Sequence, residues 1–370
     1  MRPKIQQLVN ELFANIPSGL GSEGKIRVSE KELDNVLVKG SRWAVEKGYG
    51  LPQDTIVTEE SGCLKGANPD KVSIKAKKRG IPQLGTLGSG NHFLEVGVVD
   101  QIYNHDTAKV MGIHDVGQVL VLIHTGSRGF GHEVCTDYVR LLGEAVKRYG
   151  INLPDRQLAC APVNSAEGQD YLAAMACAAN YAWANRQCIA HWTRESFARV
   201  FGKSVASLGM EQIYDVAHNI AKIEEHTVKG QKYRLCVHRK GATRAFPANH
   251  PDVPNVYRNI GQPVLIPGDM GRCSYVAVGT ERAMQETFGS TCHGAGRAQS
   301  RSAAKRSLKG ADVMRALAAR GIVVKAGSIA SLAEEASEAY KDVSDVVEVT
   351  HQAGISLKVV KSVPMGVIKG

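Results

Sequence analysis

Short apolar runs that end in glycine-rich, histidine-bearing loops constrain this chain more than any other feature. Three such loops stand out: Gly88-Ser89-Gly90-Asn91-His92, His124-Thr125-Gly126-Ser127-Arg128-Gly129 and Cys292-His293-Gly294-Ala295-Gly296-Arg297. Glycine clears side chains away from the backbone beside each imidazole, so a bulky anion or a metal can approach closely. Strand ends beside such loops are where open sheets place ligands, and the pattern points to phosphate chemistry.

Residues 4–14 have a helical apolar period and lead into a glycine-rich turn at Gly19 to Gly24. Strands are predicted at 92–99, 119–123, 233–237 and 264–266, with a final one at 355–360 leading to Lys369-Gly370. The alanine-rich stretch 170–201 predicts two helices forming a lobe, 209–225 an amphipathic helix carrying His218, and 311–351 further helix. No repeat or Pro/Gly/Ser linker divides the chain. The expectation is an α+β fold: one domain over residues 1–370, a mixed β-sheet core surrounded by helices, and a helical insertion at 160–230.

Hydrophobic residues make up 43% of the 370, enough for a full core. No apolar stretch approaches the roughly 20 residues that span a membrane, and Met1-Arg2-Pro3-Lys4 opens an amphipathic helix pattern, so the cytoplasm is the expected location. The eight cysteines form no Cys-x-x-Cys pair, which argues against a zinc ribbon or disulfide framework. A formal charge of +10 favours polyanionic partners such as nucleic acid.

The run 119–123 delivers His124 at its end, with a helix predicted to begin near His132. His92 has a similar setting, and His218 is expected on the apolar face of its helix. Each alone is satisfied by a backbone hydrogen bond; together, three neutral imidazoles suit manganese, zinc or iron. Pro267-Gly268-Asp269-Met270-Gly271 follows Val264-Leu265-Ile266 and is either a phosphate cradle or an ordinary turn begun by its aspartate. Arg297, Arg301, Lys305 and Lys309 recur every four positions, and on a helix they form one basic face, beside a helix N-terminus close to His293. His238-Arg239-Lys240-Gly241-Ala242-Thr243-Arg244 is a second basic loop. His293, among the smallest neighbours in the chain, is the imidazole best placed to carry a nucleotide as a phosphoramidate; a tight turn around a hydrogen-bonded histidine is the plainer alternative.

The stretches Leu84 to Val96, His124 to Gly129, His238 to Arg244 and Cys292 to Arg297, together with the lysine-glycine end, resemble the RtcB family of GTP-dependent RNA ligases. The resemblance implies a ligase that joins RNA 2′,3′-cyclic phosphate or 3′-phosphate ends to 5′-hydroxyl ends, as in tRNA splicing and RNA repair. Manganese and GTP are its implied cofactors, tRNA halves its implied RNA, and an archaease-type protein a potential activator. By motif position His293 is the guanylylated nucleophile, and His92, His124 and His218 are ligands of a two-manganese site. The implied GMP contacts are Asn91, His92, Phe93, Leu94, Glu95, His218, Asn219, Pro267, Gly268, Asp269, Met270, Ser274, His293, Gly294, Ala295, Gly296, Tyr340 and Lys369. Arg128, Arg239, Lys240, Arg297 and Arg301 are the expected RNA contacts. Family members carry an upstream Asp-x-x-Cys segment whose thiolate bridges both metals, and none of the cysteines here stands in that pattern. An N-terminally truncated ligase of impaired activity is therefore expected. A non-catalytic RNA-binding scaffold and a metal-dependent phosphoesterase are the competing expectations.

Overall fold

The computed structural model describes residues 1–155 and 158–370. Ile5, Leu8, Val9 and Leu12 recur at helical spacing and bury one face of α1 (Ile5–Asn15), close to the predicted bounds. The helices that follow are α2 (Glu30–Lys39), α3 (Ser41–Glu46), α4 (Ile74–Gly80), α5 (His105–Val110), α6 (Arg128–Arg148), α7 (Ala166–Phe201), α8 (Glu281–Thr287), α9 (Arg301–Ser307), α10 (Gly310–Ala319), α11 (Ile329–Glu334) and α12 (Val343–Gln352). The strands are β1 (Phe93–Ile102), β2 (Val119–His124), β3 (Asn219–Val228), β4 (Gln231–Lys240), β5 (Ala242–Arg244), β6 (Pro263–Ile266), β7 (Ser274–Gly279), β8 (Ser290–Cys292), β9 (Val323–Ala326) and β10 (Ser356–Lys369). Helices and strands are interleaved in an α+β fold, as expected. Among the described residues no helix is long and apolar enough to cross a membrane.

The main sheet has the order β2-β1-β10-β7-β6, all antiparallel, with β9 added in parallel to β10. Its register sets up the site. Phe93 pairs with His124 on one side and with Lys369 on the other, so three chain segments end in one row at the same edge of the sheet. β10 runs on well past the predicted 355–360 and carries Pro364 through the middle of the sheet. The register slips between Val96 and Gly97 opposite that proline, which accommodates a residue with no N–H to give the ladder.

Residues 170–201 form one helix rather than two. No glycine or proline interrupts them, Ser165 caps the start of α7, and Gly202 in the left-handed conformation ends it. Nor is α7 a lobe apart: Tyr181, Cys188, Ile189 and Trp192 belong to the same core as Leu8 of α1, Leu37 of α2 and Leu94 of β1. Its buried polar residues fasten loops. Asn185 Oδ1 accepts from the amides of Gly85 and Thr86, and its Nδ2 donates to the carbonyls of Thr86 and Gly126.

The predicted helix at 209–225 is absent. From Asn219 the chain is a strand of a two-stranded ribbon, with Asn219 paired to Lys240, so the 160–230 segment is not wholly helical. The stretch 311–351 is likewise broken. Gly321, at φ +76°, ends the first helical run, and β9 separates α10 from α11 and α12.

Candidate active site

The four histidines singled out above come together as a connected row of rings. Ring centroids are 6.2 Å apart for His92 and His124, 5.2 Å for His124 and His218, and 4.7 Å for His218 and His293. Nε2 of His124 lies 3.1 Å from Nε2 of His218. Burial, with Arg128 and Lys369 nearby, pushes His92 down to about 3. Burial and His293 push His218 down to about 4. His124 is held well below its usual range by burial and the neighbouring imidazoles, and His293 is lowered by burial. The cluster is neutral at physiological pH, so each ring keeps one nitrogen lone pair, and that of His92 is turned to Arg128.

Each ring is held by a different piece of the fold. His124 closes β2 and rests edge-on to Phe93. Beside it, Nη1 of Arg128 approaches Nδ1 of His92 at 3.1 Å. Arg128 has φ +54°, a conformation an arginine adopts only under constraint, and it begins α6 four residues before the predicted start at His132. His218 precedes β3, where its carbonyl accepts from the Gly241 amide at 3.2 Å and the adjacent Ala217 amide donates to the Glu59 carboxylate at 2.8 Å. His293 follows β8, whose Cys292 pairs with Ala242 of β5.

Two spaces meet at this cluster. A hollow of about 230 Å³ is walled by Asn91, Phe93, His124, the loop Pro267 to Met270, the loop His293 to Arg297, Arg301, Tyr340 and Lys369. A groove of about 1990 Å³ runs past His92, His124, Arg128, His218, Asn219, Lys240 and His293. His124 and His293 border both spaces. Leu94 does not face the site: alternation along β1 sends it into the core beside α1. Glu95 lies beneath, where burial raises its carboxyl to about 8 and Ser274 Oγ donates to it at 3.5 Å.

The Pro267 to Met270 loop is the aspartate-begun turn that its sequence allowed, and it lines the smaller hollow. Asp269 Oδ1 accepts from the amides of Gly271 and Arg272 and from Ser337 Oγ, so its carboxylate is already occupied by protein donors. Glu335 is a wall residue that the sequence reading missed. Its buried carboxylate contacts Arg297 at 3.2 Å, Arg301 at 3.4 Å, Lys369 at 3.7 Å and the Tyr340 hydroxyl. A lone glutamate after a short helix gives no sequence signal.

Three expectations need correction. Arg239 is not available to track an RNA backbone: it is 2% exposed, and its guanidinium makes a two-pronged pair with Glu224 and donates to Ser290. The basic stripe is not a free face either. Arg297 precedes α9, and Arg297, Arg301 and Lys305 pair with Glu335, Glu335 and Glu334. Finally, α9 starts eight residues beyond His293, so that helix N-terminus does not act on it.

As a metal site the cluster fits in part. The Nε2 atoms of His124 and His218, 3.1 Å apart and neutral, would be the pair to hold a shared cation. His92 reaches a shared cation only by turning from Arg128, because an Nδ1 that accepts from arginine keeps the ring proton on Nε2. Among the described residues no set of three or more His, Cys, Asp and Glu side chains encloses a metal, so no thiolate stands in for the expected bridge.

A neutral imidazole that lines a hollow together with arginine and lysine is equipped to attack phosphorus. The sequence matches the family described as tRNA-splicing ligase RtcB over residues 1–370, and the chain belongs to that family. It is 61% identical over 370 residues to tRNA-splicing ligase RtcB of Archaeoglobus fulgidus, a match covering 100% of this chain and 77% of that protein. The proteins of the same description from Thermococcus kodakarensis and Methanococcus maripaludis are 57% and 58% identical, with 100% of this chain and 77% and 76% of each relative covered. These alignments take in the whole chain and about three quarters of each relative.

Proposed function

We propose that this chain is an RNA ligase of tRNA splicing and RNA repair, which seals 2′,3′-cyclic phosphate or 3′-phosphate ends to 5′-hydroxyl ends using GTP. The observation that carries the reading is the position of His293, which lines both a small hollow and a much larger groove. The hollow suits a guanylate and the groove suits RNA ends. Family membership supports the ligase over a non-catalytic scaffold or a phosphoesterase.

In this reading the neutral His293 ring attacks the α-phosphorus of GTP, a phosphorus–nitrogen bond forms, and pyrophosphate leaves. A cyclic end is first hydrolysed to the 3′-phosphate. The RNA 3′-phosphate then takes the guanylate from His293, and the 5′-hydroxyl displaces GMP to form the new phosphodiester. Asn91, Phe93 and the Pro267 to Met270 loop wall in the nucleotide, while Lys369 and Arg301 face its negative charge. Arg128 and Lys240, on the groove, serve the RNA backbone. His124 and His218, with His92 beside them, would hold manganese, whose contribution when bound is to neutralise charge on the phosphoryl oxygens. A cytoplasmic location and an archaease-type activator complete the reading.

The test is ligation of a cyclic-phosphate RNA to a 5′-hydroxyl RNA with GTP and Mn²⁺. Joined product that requires both cofactors and disappears in His293→Ala supports the proposal. Hydrolysis of the cyclic end that persists in that variant, with no joining by the parent chain, favours the phosphoesterase instead.

A further inference from the structure

Helix α7 contributes no residue to the histidine row, yet one of its side chains joins the two loops that carry the central pair. Arg186 is about one-eighth exposed, and its Nε donates to Asp215 Oδ1 and Oδ2 at 2.8 and 2.9 Å. Its Nη1 donates to the carbonyl of Thr125, the residue after His124, at 3.0 Å. Asp215 stands three residues before His218 and is itself fixed by backbone: its amide donates to Val57 O at 3.1 Å, and its carbonyl accepts from the Glu59 amide at 2.9 Å. The preceding α7 residue, Asn185, holds Gly126 O at 3.1 Å. One turn of a helix rooted in the core thus grips the backbone just after His124 and the segment just before His218.

We propose that Arg186 is a positioning residue: its guanidinium sets the distance between the His124 and His218 imidazoles by holding Thr125 and Asp215 at once. Only a planar fork with several fixed donors reaches both groups together; a lysine is a single point charge and satisfies one of them. Outer groups of this kind orient metal-binding histidines, and losing them weakens the metal site. The inference rests on the metal reading given under Proposed function.

Mn²⁺ titration of the full chain, followed by electron paramagnetic resonance and paired with thermal melts of the metal-free protein, tests it. Two variants are compared with the parent: Arg186→Lys, which keeps the charge, and the double change Arg186→Met with Asp215→Leu, which removes both buried charges so that neither is stranded. Both are expected to bind Mn²⁺ about 10- to 100-fold more weakly, and the double variant to melt close to the parent. A folded double variant that binds Mn²⁺ as tightly as the parent overturns the positioning role. A parent chain that binds no Mn²⁺ overturns the metal reading itself, and the inference with it.

Discussion

His124 and His218, 94 residues apart in sequence, face each other through their Nε2 atoms at 3.1 Å. Two neutral imidazoles satisfy that contact in only one way without a third party, with one ring donating its proton to the other. Nδ1 of His218 then has no partner although it is buried, and the same is true of Nδ1 of His293. Buried polar atoms left bare cost about 1–3 kcal/mol each, so this core of the site is built for something that binds it.

The loop preceding His218 hangs on Glu59, and the acid stability of the protein should show it. Burial alone would raise this carboxyl, but Lys222 and Arg244 hold it down to about 2 from an ordinary 4.5. Because the folded value lies below the unfolded one, the carboxylate stabilises the fold above pH 4.5, and that contribution is lost as the pH falls toward about 2. Glu59→Ala should cost about 3 kcal/mol at pH 7, since it strands buried cations, and should flatten the acid limb. Urea melts across the pH range measure both; an unchanged acid limb contradicts the assignment.

Two neighbouring basic residues should behave in opposite ways. Arg239→Ala breaks the buried pair with Glu224 and should lower the melting temperature. Lys240→Ala, at an exposed position on the groove, should leave melting unchanged and reduce the salt dependence of RNA binding by about one unit of slope. Melting curves and binding isotherms at several salt concentrations separate the two.

Gly88 cannot carry a side chain without moving Arg128. It has φ +94°, and a Cβ there would lie 1.8 Å from Arg128 Nη1. Gly88→Ala should therefore cost about 1–3 kcal/mol in backbone strain and release Arg128 from His92. Nitrogen NMR of the His92 ring reads the loss of that contact; an unperturbed ring contradicts it.

Glu335 gathers Arg297, Arg301, Lys369 and Tyr340 around the hollow, so Glu335→Gln should loosen the nucleotide rather than the chemistry. KM for GTP is expected to rise about tenfold, or 1.4 kcal/mol of binding, with kcat little changed. A fall in kcat at constant KM, in steady-state kinetics, goes against this role.

The parts of the molecule that the sequence revealed share one property: their side chains sort by polarity. The runs at 93–99 and 119–123 are mostly apolar and border glycine loops, so β1, β2 and the settings of His92 and His124 are readable from them. β3 is not, because its pattern is inverted. Lys222, Glu224 and His226 are buried in ion pairs and hydrogen bonds, while Ile223 is 40% exposed. Alternation that places charge inside and isoleucine outside gives no strand signal, and the stretch around His218 reads as helix for that reason. The same blindness hid Glu335 and Arg186, whose roles come from partners distant in the chain. Arg239 fails in the opposite direction: a basic residue in a basic loop looks like surface, and only the fold reveals the Glu224 beneath it.

The central claim is that four imidazoles form one site in which His293 accepts a guanylate. The most direct measurement is intact-mass and peptide-mapping analysis of the chain after incubation with GTP and Mn²⁺, with acid treatment as a control because a phosphorus–nitrogen bond is acid-labile. The account predicts a guanylate adduct on His293 that acid removes and that is absent from His293→Ala. An adduct on another residue, or none on a folded chain that binds both GTP and Mn²⁺, contradicts it.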